Sequence, residues 1–112
     1  MNNPKFEIAK DNRGEYRFIL RAVNGEIILQ SSEGYSTKQG CQNSIDSVKI
    51  NAPFDSRYKK ESAFNEKYYF TLHAVNHLTL GISEMYNSSY GRDNGIEAVK
   101  RDAPTAPVLD HT

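Results

Sequence analysis

Two segments of the chain alternate apolar and polar positions with the period of a β-strand. In the first segment the apolar positions are Tyr16, Phe18, Leu20 and Ala22, and in the second they are Tyr68, Phe70, Leu72 and Ala74. Successive side chains of a strand point to opposite faces, so each set of four shares one face. Both segments are therefore predicted to be strands with one buried face.

Neighbouring segments extend each predicted strand into an antiparallel sheet. Phe6 and Ile8 alternate with polar residues upstream, and the loop 11–14 ends in a glycine, which favours a hairpin between the first two strands. Asn24-Gly25 precedes the run 26–29, a glutamate followed by three aliphatic residues, and Asn-Gly is the strongest short hairpin signal. A third antiparallel strand follows, and a further short strand is predicted around Phe54 or residues 108–109.

The period then changes to that of a helix. Apolar or small residues recur at intervals of three and four at Cys41, Ile45, Val48 and Ala52, and the second copy repeats the spacing at Arg92, Ile96, Val99 and Ala103. Ser36 or Thr37 can cap the first helix, and Asn87 or Ser88 the second. Asn43 and Asn94 could instead begin shorter helices, because each precedes an acidic residue by three positions. One continuous helix per copy is favoured, since the apolar spacing runs through both asparagines.

The whole pattern occurs twice, which indicates an internal duplication. Residues 16–24 match residues 68–76 at a shift of 52, and residues 32–53 match residues 83–104 at a shift of 51. The predicted repeats are residues 4–55 and 56–107. The predicted fold class is α+β, with three antiparallel strands and a helix in each repeat. The two repeats are expected to pack with pseudo-two-fold symmetry into one domain, and the protein to be monomeric because the duplication replaces a dimer.

Composition narrows the classes of function. Fourteen basic residues balance fourteen acidic ones among 112 positions, so no net charge attracts nucleic acid. The longest aliphatic run is residues 27–29, too short for a membrane span or the core of a signal peptide. Cys41 is the single cysteine and can form no internal disulfide. The sequence predicts a cytoplasmic protein that does not bind membranes.

The residues also resemble a known family. The Asn-Gly turn at 24–25, the Ser-Glu-x-Tyr segments and the Asn-x-Ile-x-x-Val-Lys helices resemble the YegP-like family of small bacterial proteins of unknown function. The resemblance extends from about Phe6 to Pro104 and is greatest for tandem members, which similarly carry Ala-x-Asn-His in the second copy. It implies the duplicated fold and supplies no catalytic residue, substrate or cofactor.

Polar residues that recur just before and within the helices are candidate ligand-binding positions. They are Ser32, Glu33, Tyr35 and Asn43 in the first repeat and Ser83, Glu84, Tyr86 and Asn94 in the second. Two equivalent polar sites are one interpretation of this recurrence. The structural interpretation is favoured: the serines and carboxylates satisfy loop backbone groups, and the tyrosines anchor their rings. The asparagines are poor helix formers, so surface exposure would make them candidate contacts.

The remaining candidate chemistry is weak. Cys41 lies on the apolar helix face, and His73 and His77 do not share a helix, so no nucleophile, metal site or cofactor is predicted. The outer sheet face with Arg17, Arg21 and Tyr69 allows single-stranded nucleic-acid binding as a third interpretation. The function predicted is a non-catalytic module that binds an unknown protein or small ligand. The alternative is an enzyme or small-ligand-binding protein with a site near the Ser-Glu-x-Tyr segments.

Overall fold

The computed structural model describes residues 3–112 as one mixed sheet of seven strands with two helices. The strands are β1 (Lys5–Lys10), β2 (Tyr16–Arg21), β3 (Ile27–Ser31), β4 (Tyr58–Ser62), β5 (Tyr68–His73), β6 (Thr79–Ile82) and β7 (Val108–Asp110). The helices are α1 (Lys38–Asn51) and α2 (Ser89–Asp102). Within this described range, neither helix is long and apolar enough to cross a membrane.

The order of the strands makes one sheet from both repeats. It is β4-β5-β6-β3-β2-β1-β7, and every pair except β1–β7 is antiparallel. The third strands of the two repeats pair with each other at the centre, where Gln30 lies opposite Ile82 and Ser31 opposite Gly81. The predicted α+β duplication is thus confirmed, and the six repeated strands run outward from a pseudo-two-fold axis between β3 and β6.

Both helices are continuous and capped as the sequence predicts. The side chains of Thr37 and Ser88 accept hydrogen bonds from the backbone N–H groups of Gly40 and Gly91, each at 3.0 Å. These hydroxyls replace missing intrahelical partners at the first turn. The alternative starts at Asn43 and Asn94 are wrong, since both residues lie inside a helix.

A single hydrophobic core lies between the helices and one face of the sheet. The strand positions predicted to face inward are buried, among them Phe18 and Leu20 in β2 and Phe70 and Leu72 in β5. The helices contribute the fully or nearly fully buried residues Cys41, Ile45, Val48, Ile96 and Val99 to the same cluster. Helix α1 also contacts β5 and β6, and α2 contacts β3. Each helix therefore packs on strands of both repeats.

The segments that follow the helices differ between the repeats. After α2 and a 3₁₀ turn at Ala103–Thr105, the chain forms β7, which pairs in parallel with β1. The short strand predicted near residues 108–109 is therefore present. After α1 a 3₁₀ turn at Asp55–Arg57 leads straight into β4, so no strand forms around Phe54. Only six residues separate α1 from β4, which leaves no length for another strand.

The hairpins of the second repeat place non-glycine residues at left-handed positions. Gly14 (φ 77°) and Gly25 (φ 85°) occupy these positions in the first repeat, and Glu66 (φ 64°) and His77 (φ 69°) occupy them in the second. A Cβ atom makes this conformation less favourable. The same turn geometry is therefore retained in the second repeat at a higher conformational cost.

The second repeat is one residue shorter than the first between its third strand and its helix. The missing residue lies in the loop before α2, after the strands that have the same register in both repeats. Leu20 faces Leu29 and Leu72 faces Gly81, so the shift of 52 continues through β3 and β6. Because loss of a strand residue would turn the following side chains to the opposite face, a deletion is accommodated more easily in a loop. Ser83 therefore corresponds to Ser31.

The predicted equivalence of Ser32-Glu33 with Ser83-Glu84 is thus wrong. Ser31 and Ser83 both accept a hydrogen bond from the backbone N–H thirteen residues earlier, at 3.4 and 2.9 Å. Tyr35 and Tyr86 are equivalent, because each forms an antiparallel bridge to the first residue of the second strand of its repeat.

Candidate functional site

A groove of about 400 Å³ lies between the β2–β3 hairpin of the first repeat and α2 of the second. We call it the cross-repeat groove. Its apolar surface is formed by Ala22, Val23 and Ile28 from the hairpin side and by Tyr86, Gly95 and Ala98 from the helix side. Polar groups on its rim belong to Asn24, Glu26, Asn94 and Arg101. This volume falls in the range of about 300–1,000 Å³ typical of small-molecule sites.

Tyr86 packs directly on the backbone of α2. A Cβ atom built on Gly91 would lie 3.5 Å from Tyr86 Cδ1, and one built on Gly95 would overlap the hydroxyl and lie 2.8 Å from Cζ. The two glycines are four residues apart and so share one helix face. The missing side chain at Gly95 therefore makes room for the tip of the tyrosine ring at the groove.

The equivalent tyrosine of the first repeat has a different partner. Tyr35 donates a hydrogen bond from its hydroxyl to Ser44 Oγ at 2.8 Å. Gly95 occupies the position of Ser44 in α2, and the Tyr86 side chain makes no hydrogen bond within residues 3–112. All fully buried side-chain polar atoms of those residues are satisfied, so the Tyr86 hydroxyl retains access to solvent. It is available to a molecule in the groove.

The surroundings of both tyrosines raise the pKa of their phenols. Burial is the main cause for Tyr35 and Tyr86 alike, and Glu33 adds to the effect at Tyr35. At Tyr86 the carboxylates of Glu84 and Glu26 act in the same direction. Tyr86 is therefore a neutral phenol at pH 7 that can donate or accept a hydrogen bond.

The two candidate serines make structural hydrogen bonds. Ser32 is half-buried and donates from its hydroxyl to the carbonyl oxygen of Thr79 at 2.9 Å, which joins the two repeats. Ser83 is buried, accepts from Phe70 N and donates to the carbonyl oxygen of Glu84 at 2.8 Å. For the serines, these contacts match the favoured structural interpretation.

The candidate carboxylates and asparagines are exposed. Glu84 accepts from Gln30 Nε2 at 3.1 Å, across the centre of the sheet, and Glu33 is exposed in the loop before α1. Asn43 accepts from Gln39 Nε2 at 2.9 Å on the outside of α1. Asn94 lies on the rim of the cross-repeat groove. Tyr86 and Asn94 are thus the two sequence-predicted residues that the structure brings together in this groove.

Residues of the groove that the sequence did not single out include Gly95, Ala98 and Val23. The sequence signal that could have identified this part of the groove is the pair Gly91 and Gly95 in the second helix. Glycine inside a helix costs about 1 kcal/mol relative to alanine, so it needs a packing reason. Val23 could not be identified in this way, because it lines the groove together with α2 only through the packing of one repeat against the other.

The different partners of the two tyrosines lead to a prediction about stability. Tyr35→Phe removes a hydrogen bond and leaves the buried Ser44 hydroxyl without its partner, so the free energy of unfolding should fall by about 1–2 kcal/mol. Tyr86→Phe should change it by less than about 0.5 kcal/mol. Urea unfolding of both variants measures the difference. Equal losses would show that the tyrosines have equivalent environments.

The other candidate chemical groups occupy ordinary structural environments. Cys41 is buried, and burial raises the pKa of its thiol to about 11, so the nucleophilic thiolate is scarce at neutral pH. Arg17 and Arg21 form ion pairs with Asp11 and Glu7 at 2.7 and 2.6 Å. No group of three or more potential metal ligands is present within residues 3–112.

Comparison with known proteins identifies the family. The model of the domain of unknown function DUF1508 matches residues 11–58 and again residues 63–110. The chain belongs to this family. The two matches cover most of the chain and reproduce the internal duplication.

Relatives match nearly the whole length of the chain. A UPF0339 protein encoded in the 5′ region of the ptx operon of Stutzerimonas stutzeri is 50% identical over 105 residues, 94% of each chain. The UPF0339 protein YegP of Escherichia coli K12 is 42% identical over 107 residues, 96% of each chain. These relatives confirm the YegP-like resemblance.

Two solution NMR structures have the same fold. That of a UPF0339 protein from Shewanella oneidensis has a TM-score of 0.89 at 44% identity and covers 96% of this chain and 90% of its own. That of YegP from E. coli, described as a protein of unknown function, has a TM-score of 0.92 at 40% identity, with 100% and 96% covered. This chain therefore shares its tandem fold with these two proteins.

Proposed function

We propose that the protein is a binding module that holds a largely apolar, non-anionic small ligand in the cross-repeat groove. The observation that carries the proposal is the difference between the two tyrosines. Ser44 engages Tyr35 in the first repeat, whereas Gly95 leaves the Tyr86 hydroxyl available on the groove wall. A convergent polar group in an apolar concave surface is the usual composition of a small-molecule site.

The charges on the rim disfavour an anionic ligand. Glu26 and Arg101 line the groove with opposite charges. Arg101 also forms two hydrogen bonds with Asp102, from Nε at 2.9 Å and from a terminal nitrogen at 3.0 Å. Its guanidinium is therefore already paired and would attract an anion only weakly, and the Glu26 carboxylate, which makes no ion pair within residues 3–112, would repel one. Hydrogen bonds to Tyr86 and Asn94, together with contact with Val23, Ile28 and Ala98, would supply the recognition.

The geometry supports an enzyme less well. The Ser-Glu-x-Tyr residues do not surround one cavity, because Tyr35 packs against α1 and Tyr86 against α2. Ser32 and Ser83 use their hydroxyls in hydrogen bonds to backbone carbonyls. A nucleophilic serine needs a general base within hydrogen-bond reach, and neither hydroxyl is bonded to one.

A matched pair of tryptophan variants tests the proposal. Asn94 and Asn43 are equivalent exposed positions on α2 and α1, and only Asn94 is on the rim of the cross-repeat groove. The probe is a library of neutral aromatic fragments with one hydrogen-bonding group, screened by saturation-transfer NMR and titrated by chemical-shift changes. Asn94→Trp should weaken the fragments that bind by about tenfold or more, through steric occlusion of the groove. Asn43→Trp should leave their affinity unchanged.

The hydroxyl of Tyr86 is tested in the same titration. Tyr86→Phe should weaken those fragments by about three- to tenfold, because one hydrogen bond is lost. Fragments that bind both tryptophan variants as well as the wild type would place the site elsewhere. A library without a single binder would also overturn the proposal.

A further inference from the structure

The two edges of the sheet are covered differently. Strand β7 covers the outer edge of β1, while β4, the pseudo-symmetric counterpart of β1, forms the opposite edge and has no strand beside it within residues 3–112. Phe6 donates from its backbone N–H to the carbonyl oxygen of Pro107 at 2.8 Å, and Ile8 accepts from His111 N at 2.9 Å. Strand β7 on β1 thus shows how a strand can be added to the equivalent edge of β4.

The backbone of Lys60 presents the same groups as that of Ile8. Lys60 lies opposite Phe70 in β5, and the N–H of Phe70 points away to Ser83 Oγ. In an antiparallel pair, two residues that lie opposite each other point their N–H and C=O groups either toward each other or both outward. Because the N–H of Phe70 points away from β4, the N–H and C=O of Lys60 point away from β5. The N–H of Tyr58 is already bonded to the carbonyl oxygen of Asp55. Lys60 is therefore the first residue of β4 that can pair with an added strand.

Equivalent side chains line both edges beneath the helices. Val108 of β7 lies at a cavity of about 240 Å³ with Gln42, Ile45 and Asp46 of α1. The equivalent residues of α2 are Asp93, Ile96 and Glu97, and with Asp55, Tyr58 and Lys60 they line a cavity of about 280 Å³ beside β4. Ile96 is the apolar residue from the helix in this lining, and Lys60 forms an ion pair with Asp93 at 3.2 Å on its rim. The place beside Ile96 that corresponds to the place of Val108 beside Ile45 is part of this cavity.

We propose that β4 binds an extended segment of a partner protein, which pairs in parallel with β4 and places an aliphatic side chain beside Ile96. Main-chain hydrogen bonds to Lys60 would supply affinity, and the cavity beside Ile96 would select the side chain. In an antiparallel pair of two β4 strands centred on Lys60, the Lys60 side chains of the two copies would lie opposite each other, and like charges oppose such pairing. The occupant is therefore a segment of a different protein.

The test is a selection of linear peptides displayed on phage against the full-length protein. A selected peptide is synthesised and titrated into the protein, and its contacts are mapped by amide chemical-shift changes. We expect shifts at Tyr58–Ser62 and at Ile96. Lys60→Pro removes the outward N–H and should therefore weaken peptide binding about tenfold or more. The variant should still fold, because proline is tolerated in an edge strand. Lys60→Ala keeps the outward N–H and should weaken the peptide much less than Lys60→Pro, and Asn94→Trp, which lies outside this edge, should leave its affinity unchanged.

A change in the peptide provides the second measurement. Methylation of the peptide nitrogen that faces Lys60 should abolish binding, whereas methylation of the next nitrogen should have little effect. Peptides that are insensitive to Lys60→Pro and to methylation would overturn the proposal, and so would a selection that yields none. A concentration-dependent dimer whose interface shifts lie on β4 would assign the edge to a second copy and overturn it as well.

Discussion

Residues 1–55 expressed alone are expected to form no stable folded monomer. In the intact chain, β3 pairs with β6 and α1 packs on β5 and β6, so separation exposes one edge of β3 and part of the apolar surface of α1. A chain of this length buries too little surface to compensate for that loss. Circular dichroism and light scattering should show an unfolded chain or a dimer that replaces the missing repeat.

Recombination of the halves provides the control. Adding residues 56–112 to residues 1–55 should restore the spectrum of the intact protein, because each half supplies the strand and helix surface that the other lacks. A first half that unfolds cooperatively as a monomer would contradict the shared core.

The second large effect concerns the contact between Leu29 and Gly81, where β3 meets β6. Leu29 is fully buried, and a Cβ atom on Gly81 would lie 2.9 Å from its Cγ and 3.0 Å from each of its methyl carbons. Leu29→Ala should lower the free energy of unfolding by about 2–5 kcal/mol through loss of contacts and formation of a cavity. Gly81→Ala should lower it by about 1–3 kcal/mol, because the neighbouring leucine is held by the core.

The double variant isolates this contact. Alanine at position 81 fills part of the space that Leu29→Ala creates, so the combined loss should be smaller than the sum of the single losses by about 1 kcal/mol or more. Urea unfolding of the four proteins measures the coupling. Additive losses would show that the two side-chain positions do not share one packing site.

The sequence predicted the local structure of each repeat well because its signals are local. The alternation from Tyr16 to Ala22 identified β2, and Thr37 and Ser88 were both among the predicted caps. The register of the loop before α2 was predicted wrongly. Ser-Glu recurs in both repeats, and only the strand pairing shows that Ser83 corresponds to Ser31.

The packing of one repeat against the other could be predicted from the sequence only in part, and so could the position of the binding site. Pairing of β3 with β6, and of β7 with β1, joins segments distant in the sequence. The cross-repeat groove depends on the same kind of contact, since Val23 of the first repeat faces a helix of the second. Tyr86 and Asn94 were named as candidates from their recurrence, but their common position in one groove follows from the tertiary structure.

Nuclear Overhauser contacts between a bound fragment and methyl groups of the protein would locate the binding site. In the proposed site, residues of both repeats contact the ligand. A fragment selected in the screen should therefore show contacts both to the Val23 methyl groups of the first repeat and to the Ala98 methyl group of the second. Contacts confined to one repeat, or to the sheet face opposite the helices, would contradict it.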